Sequence, residues 1–417
     1  MPLIQAYRNL RDTIIYVYFR LRYWRVMKRL RKKQPPYNVC FLASYVSGWK
    51  YDSLFQLMLK EEAFNPMIVI CPVVNRGHEH MLENIEHCNA YFTDKGYHVE
   101  CAYNEDGTYV DLATYEPDIA FITTPYKGQL AEPYYVNNIK NALTCYVNYG
   151  AGIQPYRWMY ALELVQRVWR QFIETQDDLR YVRKWCPWAT SNRVVTGYPM
   201  YETLTYGSSN PKDWKDPDPK FKRIIWAPHH TIEGQTGMLH FSTFLLYCDF
   251  MLEVAEKYKD KVQFVFKPHP VLRRALELHP KWGKERTDAY YEKWEEGINT
   301  NFVNGEYVDL FNSSDAMMHD CGSFLQEYLY LHKPVMFLSN VIEESEYNDM
   351  AIEMFNCHYK AFSKDDIIRF IEDVVLNGND TMKDQREEVY NKYLLPPNGV
   401  TAAENMLNEI KKELHIS

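Results

Sequence analysis

"FVFKPHP" (residues 264–270) decides the fold. An apolar run goes straight into Lys267 and His269, and two prolines hold the turn around the histidine. Such a run, stopping at polar residues, reads as a buried strand with a chemically active end. The layout recurs on either side in sequence. "RIIWAP" (223–228) leads into His229, His230 and Thr231, and "DAMMHD" (315–320) leads into Gly322 and Ser323. Helical patterns separate these runs, "STFLLYCDFMLEVAEKYKD" before and "GSFLQEYLYLH" after, with a further apolar run in "PVMFL". Strands alternating with helices imply a parallel sheet covered on both faces. Ligands of such sheets sit beyond the carboxyl ends of the strands, where all these polar residues fall.

The N-terminal half carries the same alternation. "NVCFLAS", "PMIVICPVV", "YHVECAY", "PDIAFIT" and "LTCYVNYG" are strand candidates, and "YDSLFQLMLKEE" and "HEHMLENIEHCNAYFTDKG" are helices, the second closed by Gly96. Residues 155–190, rich in Trp and Arg, read as helical, and "SSNPKDWKDPDPKFK" reads as a polar, proline-rich linker. The expected division is a basic amphipathic helix over 1–36 and a Rossmann-like domain over 37–200. A second Rossmann-like domain follows over 201–390, and a C-terminal helix over 391–417 packs back on the first domain. Two doubly wound domains imply a cleft between them.

A chain of 417 residues suits two or three domains, and 46% hydrophobic residues make a sizeable core. Aromatics reach 15%, which plain core packing explains as well as a polar-ligand cleft does. Nine scattered Cys without a CxxC pair read as reduced thiols of a cytosolic protein. The net charge of −8 is uneven: residues 1–33 hold ten of the 47 Lys and Arg against a single acid, Asp12. The rest therefore carries 37 basic and 54 acidic residues, which argues against nucleic acid as a partner.

That basic N-terminus has no apolar stretch near the ~20 residues needed to span a bilayer, and no signal-peptide pattern. Leu10, Ile14, Val17, Leu21 and Trp24 recur at three- and four-residue steps and share one helical face, flanked by Arg and Lys. The pattern fits a helix lying on an anionic membrane surface; a helix packed on the body with solvated charges is the plainer reading.

In "HDCGSFLQEY" Asp320 ends a strand, and Gly322 and Ser323 open a helix whose backbone N–H groups can seat an anion. Glu327 follows one turn later, within reach of a ribose hydroxyl. Ordinary capping by Asp320 or Ser323 would account for the same residues. His269, fixed by its prolines, can hold a departing phosphate and donate to it, as can Lys267; a turn-forming role is the alternative.

Here the residues reach a family. "FKPHP", "HDCGSFLQEYLYLHKPVMF" and "VVTGYP" resemble the donor-domain motifs of the CDP-glycerol glycerophosphotransferase family, which includes the teichoic acid polymerases. The resemblance covers roughly residues 190–405 and implies a GT-B fold and a CDP-activated donor. It implies His269 on the donor phosphate, and Asp320, Ser323 and Glu327 at the nucleotide. "LPPNGVTAAEN" (395–405) is similar to a family Asp-Gly segment, with Asn398 in the aspartate's place. Gly322 replaces the first serine of the family's pair, and "VNYGAGI" (147–153) stands where the polymerases carry Trp-His-Gly-Thr. The acceptor-side base is therefore open: His230, or Glu105 and Asp106 of "NEDGTY", a triplet that resembles an acidic-Gly motif of polysialyltransferases.

The expected activity is transfer of a polyol phosphate from a CDP-activated donor to a hydroxyl of a lipid-linked or growing cell-surface glycan, releasing CMP. His269 and His230 would be catalytic. Lys267, His229, Thr231, Asp320, Gly322, Ser323 and Glu327 would bind the donor. No metal or cofactor is expected. The place of action is the cytoplasmic face of a bacterial membrane. Three alternatives remain: glycosyl transfer from a CMP-activated or other nucleotide sugar; a metallohydrolase with His229, His230, His269, His319 and Asp320 as ligands; and a catalytically silent membrane-surface scaffold.

Overall fold

The structure, a computed structural model, describes residues 2–148, 150–232, 242–339 and 346–416. It divides into two units, Met1–Glu202 with Pro396–Ser417, and Thr203–Leu395.

The first unit holds seven parallel strands: β1 (Tyr37–Ala43), β2 (Phe64–Ile70), β3 (Val99–Cys101), β4 (Ile119–Ile122), β5 (Leu143–Val147), β6 (Arg170–Ile173) and β7 (Arg193–Val195). Their order is β3-β2-β1-β4-β5-β6-β7. The second unit holds β8 (Lys222–Ala227), β9 (Val262–Phe266), β10 (Thr300–Phe302), β11 (Ala316–His319), β12 (Val335–Leu338) and β13 (Tyr359–Ala361), in the order β10-β9-β8-β11-β12-β13. Both are doubly wound: each sheet grows outward in one direction from its first strand, then reverses. The reversal lies between β1 and β4 in one sheet and between β8 and β11 in the other. These are two Rossmann-like sheets of the GT-B class.

Burial on both faces explains the apolar runs. Every residue of β4, β5, β9, β11 and β12 is buried. Aromatics fill the space between sheet and helices. Phe41 stacks on Phe121 at 4.5 Å in the first unit. In the second, Trp226 meets Phe266 at 5.1 Å and Trp294 at 5.5 Å. Each such ring stabilises by roughly 2–3 kcal/mol through burial. The high aromatic content is thus largely accounted for by packing.

Three expectations need correction. Residues 155–190 are not purely helical, because Arg170–Ile173 pairs with both β5 and β7. Arg170 and Gln171 hide that strand from an apolar-run reading. β10 and β13, each three residues long, were also not foreseen. Finally, the proline-rich stretch at 208–221 is fastened to the second unit. Trp214 is buried and donates to Ser313 Oγ (2.8 Å), Ser208 donates to Asp309 (2.5 Å), and the Gln263 side chain pairs with Asp216 (2.6 and 2.8 Å).

In the first unit, "VVTGYP" forms a close crossing. Gly197 has φ +97°, and a Cβ there would lie 2.9 Å from Pro396, so both conformation and space require glycine. Asn398 sits at φ 67°, a region asparagine tolerates, and donates to Asn405 (2.9 Å). The helix that follows, Ala402–Leu414, is capped by Thr401 and Glu404 in a reciprocal pair.

Candidate functional site

β9, β8 and β11 are neighbours in the second sheet, and their carboxyl ends lie side by side at its reversal point. The three polar segments singled out in the sequence therefore meet. The His269 N–H donates to Pro228 O (2.9 Å), which ties the turn after β9 to the turn after β8. Asp320, at the end of β11, accepts from the backbone N–H of His229 and from the N–H and hydroxyl of Thr243 (2.6 and 2.8 Å).

The outcome is a cluster of three imidazoles. Ring centroids are 4.3 Å apart for His229 and His230, 4.3 Å for His230 and His269, and 4.9 Å for His229 and His269. One ring nitrogen from each lies within 4.8 Å of the others. Burial first, then mutual repulsion, lowers His229 to about 2; burial, His230 and Lys267 lower His269 to about 3. Both rings are neutral at physiological pH.

A hydrogen bond also sets the tautomer of His269. The Val271 N–H donates to His269 Nδ1 (3.2 Å), and a ring nitrogen that accepts from an amide carries no proton, so Nε2–H is the donor on that ring. His229 Nδ1 meets both the Thr231 hydroxyl (3.0 Å) and the Thr231 N–H (3.4 Å). A neutral N–H donor suits an oxyanion. A metal bound at Nε2 of His269 would need the opposite tautomer, with Nδ1 donating to a carbonyl or carboxylate. The set expected for a metallohydrolase also divides. His319 is fully buried beside Phe337 and His358 (ring centroids 5.3 and 5.5 Å), and Asp320 is occupied by its three donors.

Lys267 lies buried next to this cluster in the chain, its Nζ 6.0 Å from the Tyr307 ring, and burial lowers its ammonium below the usual range. Asp320 is fully buried. Burial pushes its carboxyl up to about 6, against hydrogen bonds that pull the other way. Its function in this geometry is to hold the backbone of His229 in place.

The segment after β11 departs from expectation. Gly322 and Ser323 precede only one α-turn, Phe324–Glu327, continued as a 3₁₀ turn over Tyr328–Leu331. A macrodipole of a full helix is therefore not available there. Ser323 is exposed and makes no side-chain cap, and Asp320 points to Thr243, so the capping explanation for both residues also fails. Glu327 is buried, with the Tyr307 hydroxyl hydrogen-bonded to it.

Glu105 and Asp106 belong to the first unit, on an exposed turn after β3. Asp106 accepts from the Thr108 N–H (3.0 Å) and hydroxyl (2.6 Å), which lower its carboxyl and make it a poor base. Of "VNYGAGI", Tyr149 lies outside the described residues. Two residues of the site were missed in the sequence. Thr243, directly before the helix Phe244–Lys257, makes no side-chain cap and donates to Asp320 through both its N–H and its hydroxyl. Tyr307 carried no signal beyond the general abundance of tyrosine.

No family model matches the chain, and no curated protein matches it. Solved structures do. A variant of the wall teichoic acid polymerase TagF soaked with CDPG has TM-score 0.59 at 13% identity, covering 98% of each chain. The S. aureus MnaA–UDP co-structure has TM-score 0.55 at 14% identity, covering 91% of this chain and 98% of that one. The UDP-GlcNAc 2-epimerase from Neisseria meningitidis, bound to UDP-GlcNAc, has TM-score 0.54 at 14% identity, covering 90% and 99%. At such identities the likeness is one of fold. It includes a teichoic acid polymerase, the kind of protein whose motifs the sequence resembles.

Proposed function

We propose that this protein is a transferase that moves a polyol phosphate from a CDP-activated donor to a hydroxyl of a lipid-linked or growing cell-surface glycan. The supporting observation is the cluster of His229, His230 and His269 at the reversal point of the second sheet, with His269 held as a neutral Nε2–H donor. The acceptor oxygen attacks the donor's distal phosphorus, the bond from that phosphorus to the bridging oxygen breaks, and CMP leaves with the electron pair. His269 and Lys267 hold the charge that builds on the departing phosphate. His269, its Nδ1 held by the Val271 N–H, directs its Nε2–H at the departing phosphate and donates a hydrogen bond as charge accumulates. His230 receives the acceptor's proton; the bonds that hold Asp106 ionised make the acidic turn of the first unit the weaker choice. His229, Thr231, Asp320, Gly322, Ser323 and Glu327 shape the donor site, with Asp320 and Glu327 acting from within the core.

A second reading keeps the site and changes the donor to a nucleotide sugar. It draws support from the two neighbours solved with UDP or UDP-GlcNAc. One screen separates the readings. The protein is incubated with CDP-glycerol, CDP-ribitol, CMP-sugars and UDP-GlcNAc, and both thermal shift and nucleotide release are followed. The first reading expects cytidine compounds to stabilise the protein and CDP-polyols to release CMP. Stabilisation by UDP-sugars alone overturns it.

A further inference from the structure

The helix Pro2–Leu30 has two apolar faces, and only one is used by the fold. Tyr16, Phe19, Tyr23, Val26, Met27 and Leu30 are buried against the first unit. Hydrogen bonds lock that face: Tyr16 to Ser191 (2.6 Å), Tyr23 to Arg167 O (2.9 Å) and Arg20 to Trp169 O (2.8 Å). Roughly 160° around the axis, at 3.6 residues per turn, runs a second stripe. Tyr7, Leu10, Ile14, Val17, Leu21 and Trp24 are 49–69% exposed and follow one another at steps of three and four. The stripe extends over about 26 Å. Single exposed apolar residues are ordinary, but six in line on one helix are a surface awaiting a partner.

Charge selects the partner. Steps of three and four are also the seam of a coiled coil, so a second copy is one geometric option. In that arrangement the flanking positions are Arg11, Tyr18, Arg25 and Lys32 on one side and Ala6, Thr13, Arg20 and Met27 on the other. No acid lies among them, so paired copies would set cation against cation. The exposed cations Arg25, Lys28 and Lys32 instead match an anionic plane, and Tyr7, Tyr18 and Trp24 suit its polar boundary layer. Residues 34–417 carry a net −17, so the same plane repels the remainder and leaves this helix as the point of attachment.

We propose that the outer stripe of the N-terminal helix docks the protein on an anionic lipid bilayer, lying in the interface while its inner face stays packed on the first unit. No described helix is long and apolar enough to cross a membrane, so attachment is peripheral and salt-sensitive. The proposal is independent of the reaction assigned above.

Flotation of the full chain with vesicles tests it. The protein should float with phosphatidylcholine–phosphatidylglycerol vesicles and stay behind with phosphatidylcholine alone. Ile14→Asp with Leu21→Asp should abolish flotation, and each of Arg25→Ser and Lys28→Ser should weaken it about fivefold. All these positions are exposed, so unchanged circular dichroism and melting temperature are expected. Should the double Asp variant misfold, the two charge variants decide alone. Equal flotation with neutral vesicles overturns the electrostatic basis. Failure to float, or a dimer in light scattering that Ile14→Asp dissociates, overturns the proposal in favour of a second copy or an acidic protein partner.

Discussion

The two sheets reverse direction at the same topological point, and they use it differently. At the β1/β4 reversal the groups are hydroxyls and amides that satisfy one another. Ser44 Oγ and Thr123 Oγ1 are 2.9 Å apart, Thr123 also bonds Leu42 O (2.9 Å), and Asn84 donates to Ser44 O (2.6 Å). Tyr51 spans from Ile122 O (2.9 Å) to the Val147 N–H (3.1 Å). At the β8/β11 reversal stand Asp320 and three histidines, with Lys267 close behind. At the first edge the named groups are neutral and bond one another. The other stores ionisable groups in uncharged or partly buried states that an anion would stabilise. The fold offers the location twice, and side-chain chemistry decides which copy can bind charge.

The largest test of this contrast is kinetic. Replacing His269 by Ala should lower turnover with the correct donor by roughly 10²–10³, the loss of one oxyanion-type donor, with little change in melting temperature. Wild-type turnover in that variant would remove His269 from the site. Asp320→Ala should fail in both respects. It strands two backbone N–H groups, costs about 3 kcal/mol in chemical denaturation, and releases the backbone of His229. A variant with full stability and full activity would show that Asp320 holds nothing.

The pH dependence comes next in size. His229, His269 and His319 have folded pKa values below the ordinary 6.5, so the unfolded chain binds more protons once pH falls under that value. Stability should be fully present above pH 6.5 and decline steadily as the pH drops toward 3. Between pH 7 and 5 each imidazole contributes roughly 1–2 kcal/mol of this loss, the lower figure for the half-buried pair. Asp320, raised to about 6, acts in the opposite direction over part of the range and blunts the slope. His269→Gln should flatten the curve of melting temperature against pH; an unchanged curve would mean that His269 titrates in the folded protein as it does in the unfolded chain. The smallest effect belongs to the first edge. Thr123→Val should cost about 1–2 kcal/mol and leave nucleotide affinity unchanged. Lost affinity there would erase the difference between the two edges.

Legibility followed burial. β1, β2, β4, β5, β8, β9, β11 and β12 could be found because strands covered on both faces must be apolar throughout. β10 and β13 lie at sheet edges with three residues each and stand in no apolar run, and β6 opens with a half-buried Arg170 and a buried Gln171 that only its neighbours make favourable. The histidines were visible as strand-end residues. The tautomer of His269 was not, since it depends on where the amide of Val271 points. The helix opened by Gly322–Ser323 is shorter than those residues suggest, because the length of a helix depends on what packs around it and not on the residues that open it. The N-terminal helix shows the same limit. Its outer stripe could be read from spacing, whereas the inner one, with Tyr16, Phe19 and Tyr23, acquired meaning only through the body it covers.

By itself the sequence determined the alternation of strands and helices, the parallel character of both sheets and the residue types at the strand ends, because each follows from local periodicity. Strand order was decided by tertiary structure alone. That order placed β9, β8 and β11 side by side, and with them His269, His229, His230 and Asp320. Their separation along the chain reaches about ninety residues, a distance over which no local rule operates, and packing closes it to within hydrogen-bond reach.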